Sequence, residues 1–183
     1  MTQPSELSLH TRAGLPPALR ALVEEFPRDG WERHVHFNGM VQFWMERHMM
    51  FRRLVDIMQA DLQALEDQNM AFETYAPRLS RLGSTLLNEL HGHHHIEDTH
   101  YFPELIRLDT GIERAFDLLE SDHQAMDELL HGMAEGANAV LNGGGSAVAF
   151  QERLTHFSSL LDRHLTDEEE IVVPVVLKTG FAG

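Results

Sequence analysis

From Trp31 onward, apolar residues recur at alternating spacings of three and four, a helical period, and no stretch supports a strand. The first stripe runs through Val41, Trp44, His48, Phe51, Val55, Met58, Leu62 and Leu65. The second runs through Leu79, Leu82, Leu86, Leu90, His93, Glu97, Tyr101 and Leu105. Ile112, Phe116, Leu119, His123, Met126, Leu130, Met133 and Ala137 make the third, and Phe150, Leu154, Phe157, Leu161, His164, Glu168, Ile171 and Val175 the fourth. The breaks fall at Asp67 to Ala76 with Pro77, at Asp109, Thr110 and Gly111, and at Asn142, Gly143, Gly144, Gly145 and Ser146, where Ser146 has the character of an N-cap. The triple glycine follows a helix and lacks the Lys and Ser/Thr of a phosphate loop, so it reads as a flexible turn. The expected fold is all-α: an up-down-up-down four-helix bundle over residues 31–183, preceded by an N-terminal extension, residues 1–30, with a short helix from Pro17 to Phe26.

The chain has 183 residues, 43% of them hydrophobic and 23% charged, enough for one domain with a sizeable core. No apolar run is long enough to span a membrane. With 14 Lys and Arg against 29 Asp and Glu the formal charge is -15, which argues against nucleic acid or an anionic membrane surface as partner and in favour of cations. The absence of cysteine excludes disulfides, iron-sulfur clusters and thiolate metal sites, so any metal must be held by nitrogen and oxygen. The N-terminus lacks the pattern of a signal peptide, and a cytoplasmic location is expected. The outlying number is 13 histidines.

Each stripe places a histidine where its neighbours are Leu, Phe or Val: His48, His93, His123 and His164. One such histidine is unremarkable, being most often bonded to a carbonyl or water. Measured from the end of the bundle that carries the first and third loops, all four lie roughly 21 to 26 Å in, within about a turn of one another. His93 and His164 are each followed four residues later by a carboxylate, Glu97 and Glu168, which projects from the same face. Two buried carboxylates without Lys or Arg at their level would cost several kcal/mol, and a cation is the natural compensation. Four imidazoles and two carboxylates able to bridge oversupply one tetrahedral ion and suit two. His93, Glu97, Asp98 and Pro103 repeat His164, Glu168, Glu169 and Pro174 in spacing, which selects His93 from the run His93, His94, His95 and Glu97 over Asp98.

The segments HGHHHIEDTHYFPEL (91–105) and HLTDEEEIVVPVV (164–176), with the single histidines of MERHMMFRRL and ESDHQAMDELL, resemble the hemerythrin-like family of HHE cation-binding domains over about 35–176. The resemblance implies a non-haem di-iron centre: two iron ions, with Zn or Mn as substitutes, bridged by two carboxylates and an oxo or hydroxo group. It implies His48, His93, His123 and His164 as terminal ligands and Glu97 and Glu168 as bridges, and adds His94 as a further candidate. Asp127, a further metal candidate, stands where respiratory hemerythrins have a second histidine on the third helix, which argues against oxygen carriage of the respiratory kind.

His100, one turn beyond Glu97, is a candidate for orienting that carboxylate, whereas His91, His95, His131 and His156 read as surface residues. Asp98, Asp167, Glu169 and Glu170 read as a solvated face, the methionines of the first helix as packing, and Tyr101 as a buried packing residue. The expected function is a metal-binding module that binds or senses dioxygen, a related small diatomic ligand or iron, with no protein partner identifiable and enzymatic activity undecided. The alternatives are a ferritin-like di-iron oxidoreductase, whose Glu-x-x-His spacing occurs at Glu97/His100 and Glu120/His123, and a bundle with structural zinc.

Overall fold

A computed structural model describes residues 7–183. The first long helix begins where Asn38 accepts hydrogen bonds from the backbone N–H groups of Met40 and Val41, capping α2 (Gly39–Glu66). A short α1 (Ala21–Glu25) precedes it, inside the expected Pro17–Phe26 segment. α3 (Phe72–Ile96) runs into a π-helical turn (Glu97–Tyr101) and then α4 (Phe102–Leu108); α5 (Glu113–Leu141) and α6 (Ala147–Thr179) complete the chain. Among the described residues there is no strand.

The long helices close a ring in which successive neighbours run antiparallel. Arg78 near the start of α3 bonds Asp61 near the end of α2 at 2.7 and 2.9 Å, while His93 near the end of α3 meets His48 near the start of α2. Phe102 packs on Phe116 and His94 on His123, joining α3 and α4 to α5. Arg153 donates to the Gly132 carbonyl between α5 and α6, and Arg52 to Asp162 between α2 and α6. The core divides into two apolar layers: Phe51, Leu62, Leu86, Met126, Phe157 and Leu161 in one, Trp31, Trp44, Phe102, Phe116, Ile171 and Val175 in the other. The histidines and glutamates of the stripes lie between them.

Three sequence expectations change. The break before α3 ends at Ala71, not at Pro77, which lies inside the helix. Pro77 and Glu73 are both exposed, so the carbonyl that Pro77 leaves unpaired can face water. The second stripe places Tyr101 in the core, but in the π turn the N–H of Phe102 reaches back five residues to the Glu97 carbonyl. That extra residue per turn moves Phe102 into the core, 3% exposed, and leaves Tyr101 half-buried beside Trp44. The C-terminal half of α6 is buried on all sides from Ile171 to Leu177, because α1 and the segment before it cover the face that a lone four-helix bundle would leave to solvent.

The turn between α5 and α6 is specified residue by residue. Gly143 has φ +70°, a conformation that disfavours a side chain, and the N–H groups of Gly144 and Gly145 both donate to the Ala139 carbonyl. A Cβ on Gly145 would lie 2.8 Å from the Ala139 carbonyl carbon, while one on Gly144 would meet nothing closer than 4.0 Å. Gly145→Ala is expected to lower unfolding free energy by about 1–3 kcal/mol, and Gly144→Ala to change it by less than about 0.5 kcal/mol. Urea titration of the two variants checks this; equal effects would contradict the turn geometry.

Candidate metal centre

The helix periods that bury Leu, Phe and Val at neighbouring levels bring seven imidazole and carboxylate groups to the middle of the bundle. His48 comes from α2, His93 and His94 from the last turn of α3, Glu97 from the π turn, His123 from α5, and His164 and Glu168 from α6. They form two groups whose donor atoms lie within 4.8 Å of one another: His48, His93, Glu97 and Glu168 in one, His94, His123 and His164 in the other. His93 and His94 are adjacent in sequence and enter different groups, so the choice of one over the other made from the internal repeat is not what the fold imposes.

The two carboxylates lie between the groups. Glu97 turns Oε1 to His93, 2.9 Å away, and Oε2 to His123, 3.6 Å away. Oε2 of Glu168 is 3.6 Å from His48 Nε2 and 3.4 Å from His164 Nε2. His48 Nε2 and His93 Nε2 face each other at 3.0 Å, a separation that a shared proton or cation must bridge. Two nitrogens each about 2.1 Å from one ion and at right angles to each other stand roughly 3.0 Å apart, so the spacing suits a dication. Glu97 Oε2, His123 Nε2, His164 Nε2, both oxygens of Glu168 and both nitrogens of His94 are buried without a hydrogen-bond partner in the protein. Buried polar atoms of this kind are rare, and here they converge.

The electrostatics follow from burial and crowding. Burial, then the charge of Glu168, pushes the Glu97 carboxyl well above the usual carboxylate range. Burial also opposes ionisation of Glu168, but His48, His164 and His93 outweigh it and hold that carboxyl well below the range. Burial lowers His93 to about 3 and His94 well below the ordinary imidazole value, with neighbouring imidazoles adding to both shifts. These rings are therefore neutral and present lone pairs, the form in which imidazole binds metals.

A second set of carboxylates orients the rings from behind. His48 Nδ1–H donates to Glu169 Oε1 at 3.0 Å, and His123 Nδ1–H to Asp98 Oδ1 at 2.7 Å, leaving both Nε2 atoms aimed inward. His164 Nδ1 lies 3.5 Å from Asp122 Oδ2. Burial works against ionisation of Glu169, yet its hydrogen bonds to His48 and Arg52 bring it down to about 2. The solvated-face reading of Asp167 and Glu169 is thus overturned, since Glu169 is 3% exposed and Asp167 0%, while Asp98 stays partly exposed and still meets His123. Covering of this half of α6 by the N-terminal segment, which a bundle periodicity cannot show, is the cause. The signal that was present is the repeat itself, since Asp98 and Glu169 occupy matching places after Glu97 and Glu168.

The N-terminal segment also supplies the largest omission. Leu9 and Leu15 are buried, and between them Arg12 enters the bundle with its side chain 2% exposed. Its guanidinium pairs with both oxygens of Asp122, through Nη1 at 2.7 Å and through Nη2, and its Nε donates to Asp167 at 2.8 Å. An arginine among polar residues without periodicity gives no sequence cue to this role.

Other expected residues fall outside. Asp127 is exposed and lies 3.6 Å from the ring of His91, away from the two donor groups. His100 is exposed, the π turn having carried it off the Glu97 face, and Glu120 is exposed too, so neither Glu-x-x-His pair is assembled. His91, His95, His131 and His156 are at the surface.

The sequence profile of the hemerythrin HHE cation-binding domain matches residues 39–176, three quarters of the chain. The chain belongs to that family. No curated protein matches it, and no solved structure matches it. The matched span of the hemerythrin HHE domain runs from the first residue of α2 into the last turns of α6 and contains all seven groups of the centre, while Arg12 lies outside it. The domain's histidines and glutamates are thus placed to hold metal, and no helix among the described residues is long and apolar enough to cross a membrane.

Arg12→Met would leave Asp122 and Asp167 buried with less compensation and is expected to cost about 3–5 kcal/mol of unfolding free energy. Arg107→Met, which breaks an exposed pair with Glu104, is expected to cost under about 1 kcal/mol. Chemical denaturation of both variants tests the difference; an Arg12 cost as small as that of Arg107 would contradict the buried pairing of Arg12 with Asp122 and Asp167.

Proposed function

We propose that this hemerythrin HHE domain holds two iron ions and uses them to bind or sense dioxygen or a related small diatomic ligand. The observation that carries the reading is the division of donors into two buried groups, with Glu97 turning one oxygen to each. His48 and His93 would hold one ion, His94, His123 and His164 the other, and Glu97 and Glu168 would contribute to both. Imidazole donors suit iron and zinc, and the two carboxylates would also accept manganese. Bound iron would supply an open coordination position and one-electron chemistry.

The chain's own residues do the rest. Glu169 and Asp98 keep the rings of His48 and His123 in the tautomer and orientation that present a lone pair inward. Trp44 Nε1–H donates to Glu97 Oε1 at 2.5 Å, which restrains the carboxylate and gives its charge a donor. Phe51 on one side and Phe102 on the other exclude bulk water, each packed against a histidine ring of the centre. A small uncharged ligand can enter such a site, while a hydrated ion is held back by desolvation.

Elemental analysis of tag-free protein is expected to give about two irons per chain, with a visible charge-transfer absorption that changes when the reduced protein meets oxygen. His94→Ala and Glu168→Ala are expected to lower metal content sharply, and His91→Ala and His131→Ala to leave it unchanged. One zinc per chain with no such absorption, or full loading of the first two variants, would contradict the reading.

A further inference from the structure

Outside the centre, between α2 and α3, lies a cavity of about 360 Å³ that the metal reading does not use. Its walls are Phe43, Trp44, Ile96 and Tyr101, its inner surface reaches His93, and Gly92 forms part of its floor. The glycine is the informative residue. It sits in the interior of α3, where glycine disfavours a helix, and a Cβ added to it would meet nothing within 4 Å. Packing therefore does not require glycine at this point, and a side chain there would extend from the cavity's lining.

The chemistry of the walls narrows the occupant. Trp44 and Tyr101 are stacked with ring centres 5.9 Å apart, and with Phe43, which is 61% exposed at the mouth, they offer aromatic surface to a planar molecule. The charged residues at the rim, Arg47 and Glu89, are paired with each other, so the rim presents no free charge to attract an ion. Asn88 at the same rim provides an uncharged amide able to bond a hydroxyl or carbonyl. A volume of this size is at the lower end of small-molecule sites and takes one or two fused rings.

We propose that this cavity is a binding site for a small, neutral, aromatic organic molecule bearing one hydroxyl or carbonyl group, which lies against the outer side of His93. The proposal deepens the reading of the centre, since it rests on His93 belonging to that centre for its functional meaning, but the cavity itself is formed by protein side chains alone. Occupancy would reach the centre through two contacts already present: the stacked Trp44, whose indole N–H is bonded to Glu97, and the ring of His93.

The test is calorimetric titration of the purified full chain, carrying Trp31→Phe so that Trp44 is its one tryptophan, with 1-naphthol, 1-naphthoate and 1-naphthylmethylammonium, which share a ring system and differ in charge, alongside quenching of Trp44 fluorescence. Saturable binding of 1-naphthol at one site is expected, at least about tenfold tighter than that of either ion. Gly92→Leu, which fills the cavity, and Phe43→Ala, which removes a wall, are each expected to weaken it by about tenfold or more. The second variant alters an exposed side chain and keeps the test decisive if the first folds poorly. Absence of saturable binding, preference for a charged probe, or affinity unchanged in both variants would overturn the proposal. Metal content measured on the same samples separates its failure from failure of the di-iron reading: empty protein that still binds 1-naphthol sinks only the latter.

Discussion

Glu97 and Glu168 are wholly buried in the middle of the bundle, and among the described residues no Lys or Arg reaches either one. Two carboxyl groups so placed cannot both ionise on their own, and their opposite shifts, one far up and one far down, express that conflict. Among the neighbouring imidazoles, burial holds His93, His94 and His164 below the ordinary value, while at His48 the charges of Glu168 and Glu169 outweigh burial and raise it; that ring offsets Glu168 and leaves Glu97 as the carboxyl pushed up. The site is complementary to something that carries charge without a side chain. Membership of a cation-binding family agrees with that conclusion, but the conclusion follows from the geometry.

The surrounding structure is arranged to hold this arrangement of charges. Apolar layers above and below raise the cost of every ion between them, and an outer set of carboxylates aligns the imidazoles. Apart from the partly exposed Asp98, the carboxylates around the centre are buried as well, so they in turn depend on arginines: Arg12 for Asp122 and Asp167, Arg28 and Arg52 for Glu169. Arg12 and Arg28 come from before the matched domain. The N-terminal segment is thus bound into the electrostatics of the centre, and it explains why the end of α6 is buried on every side.

The fold was legible because helical periodicity records which face of each helix is buried, and the four stripes map onto α2, α3 with α4, α5 and α6. The inner histidines and glutamates were legible for the same reason: His48, His123, His164 and Glu168 break an apolar pattern at matching heights. What periodicity assumes is a regular helix, and the π turn at Glu97–Tyr101 violates that assumption, exchanging Tyr101 for Phe102 and turning His100 outward. Periodicity also assumes that a helix has one buried face, which fails for α6 where the N-terminal segment covers it. Asp167 and Glu169 were misread on that account, and Arg12 had no pattern to betray it. His94 lay beyond the reach of the repeat because the two helices that carry it are not equivalent in three dimensions: α6 passes Pro174 unbroken, while α3 does not continue past Ile96 in α-helical register.

The central claim is that two cations occupy the two groups of donors. Crystals of the protein as purified, with diffraction recorded on both sides of the iron absorption edge, test it most directly. The account predicts two anomalous peaks inside the bundle, one within bonding distance of His48 and His93, the other of His94, His123 and His164, with Glu97 and Glu168 between them. A single peak, or peaks bound to surface residues such as Asp127 or His131, would contradict it.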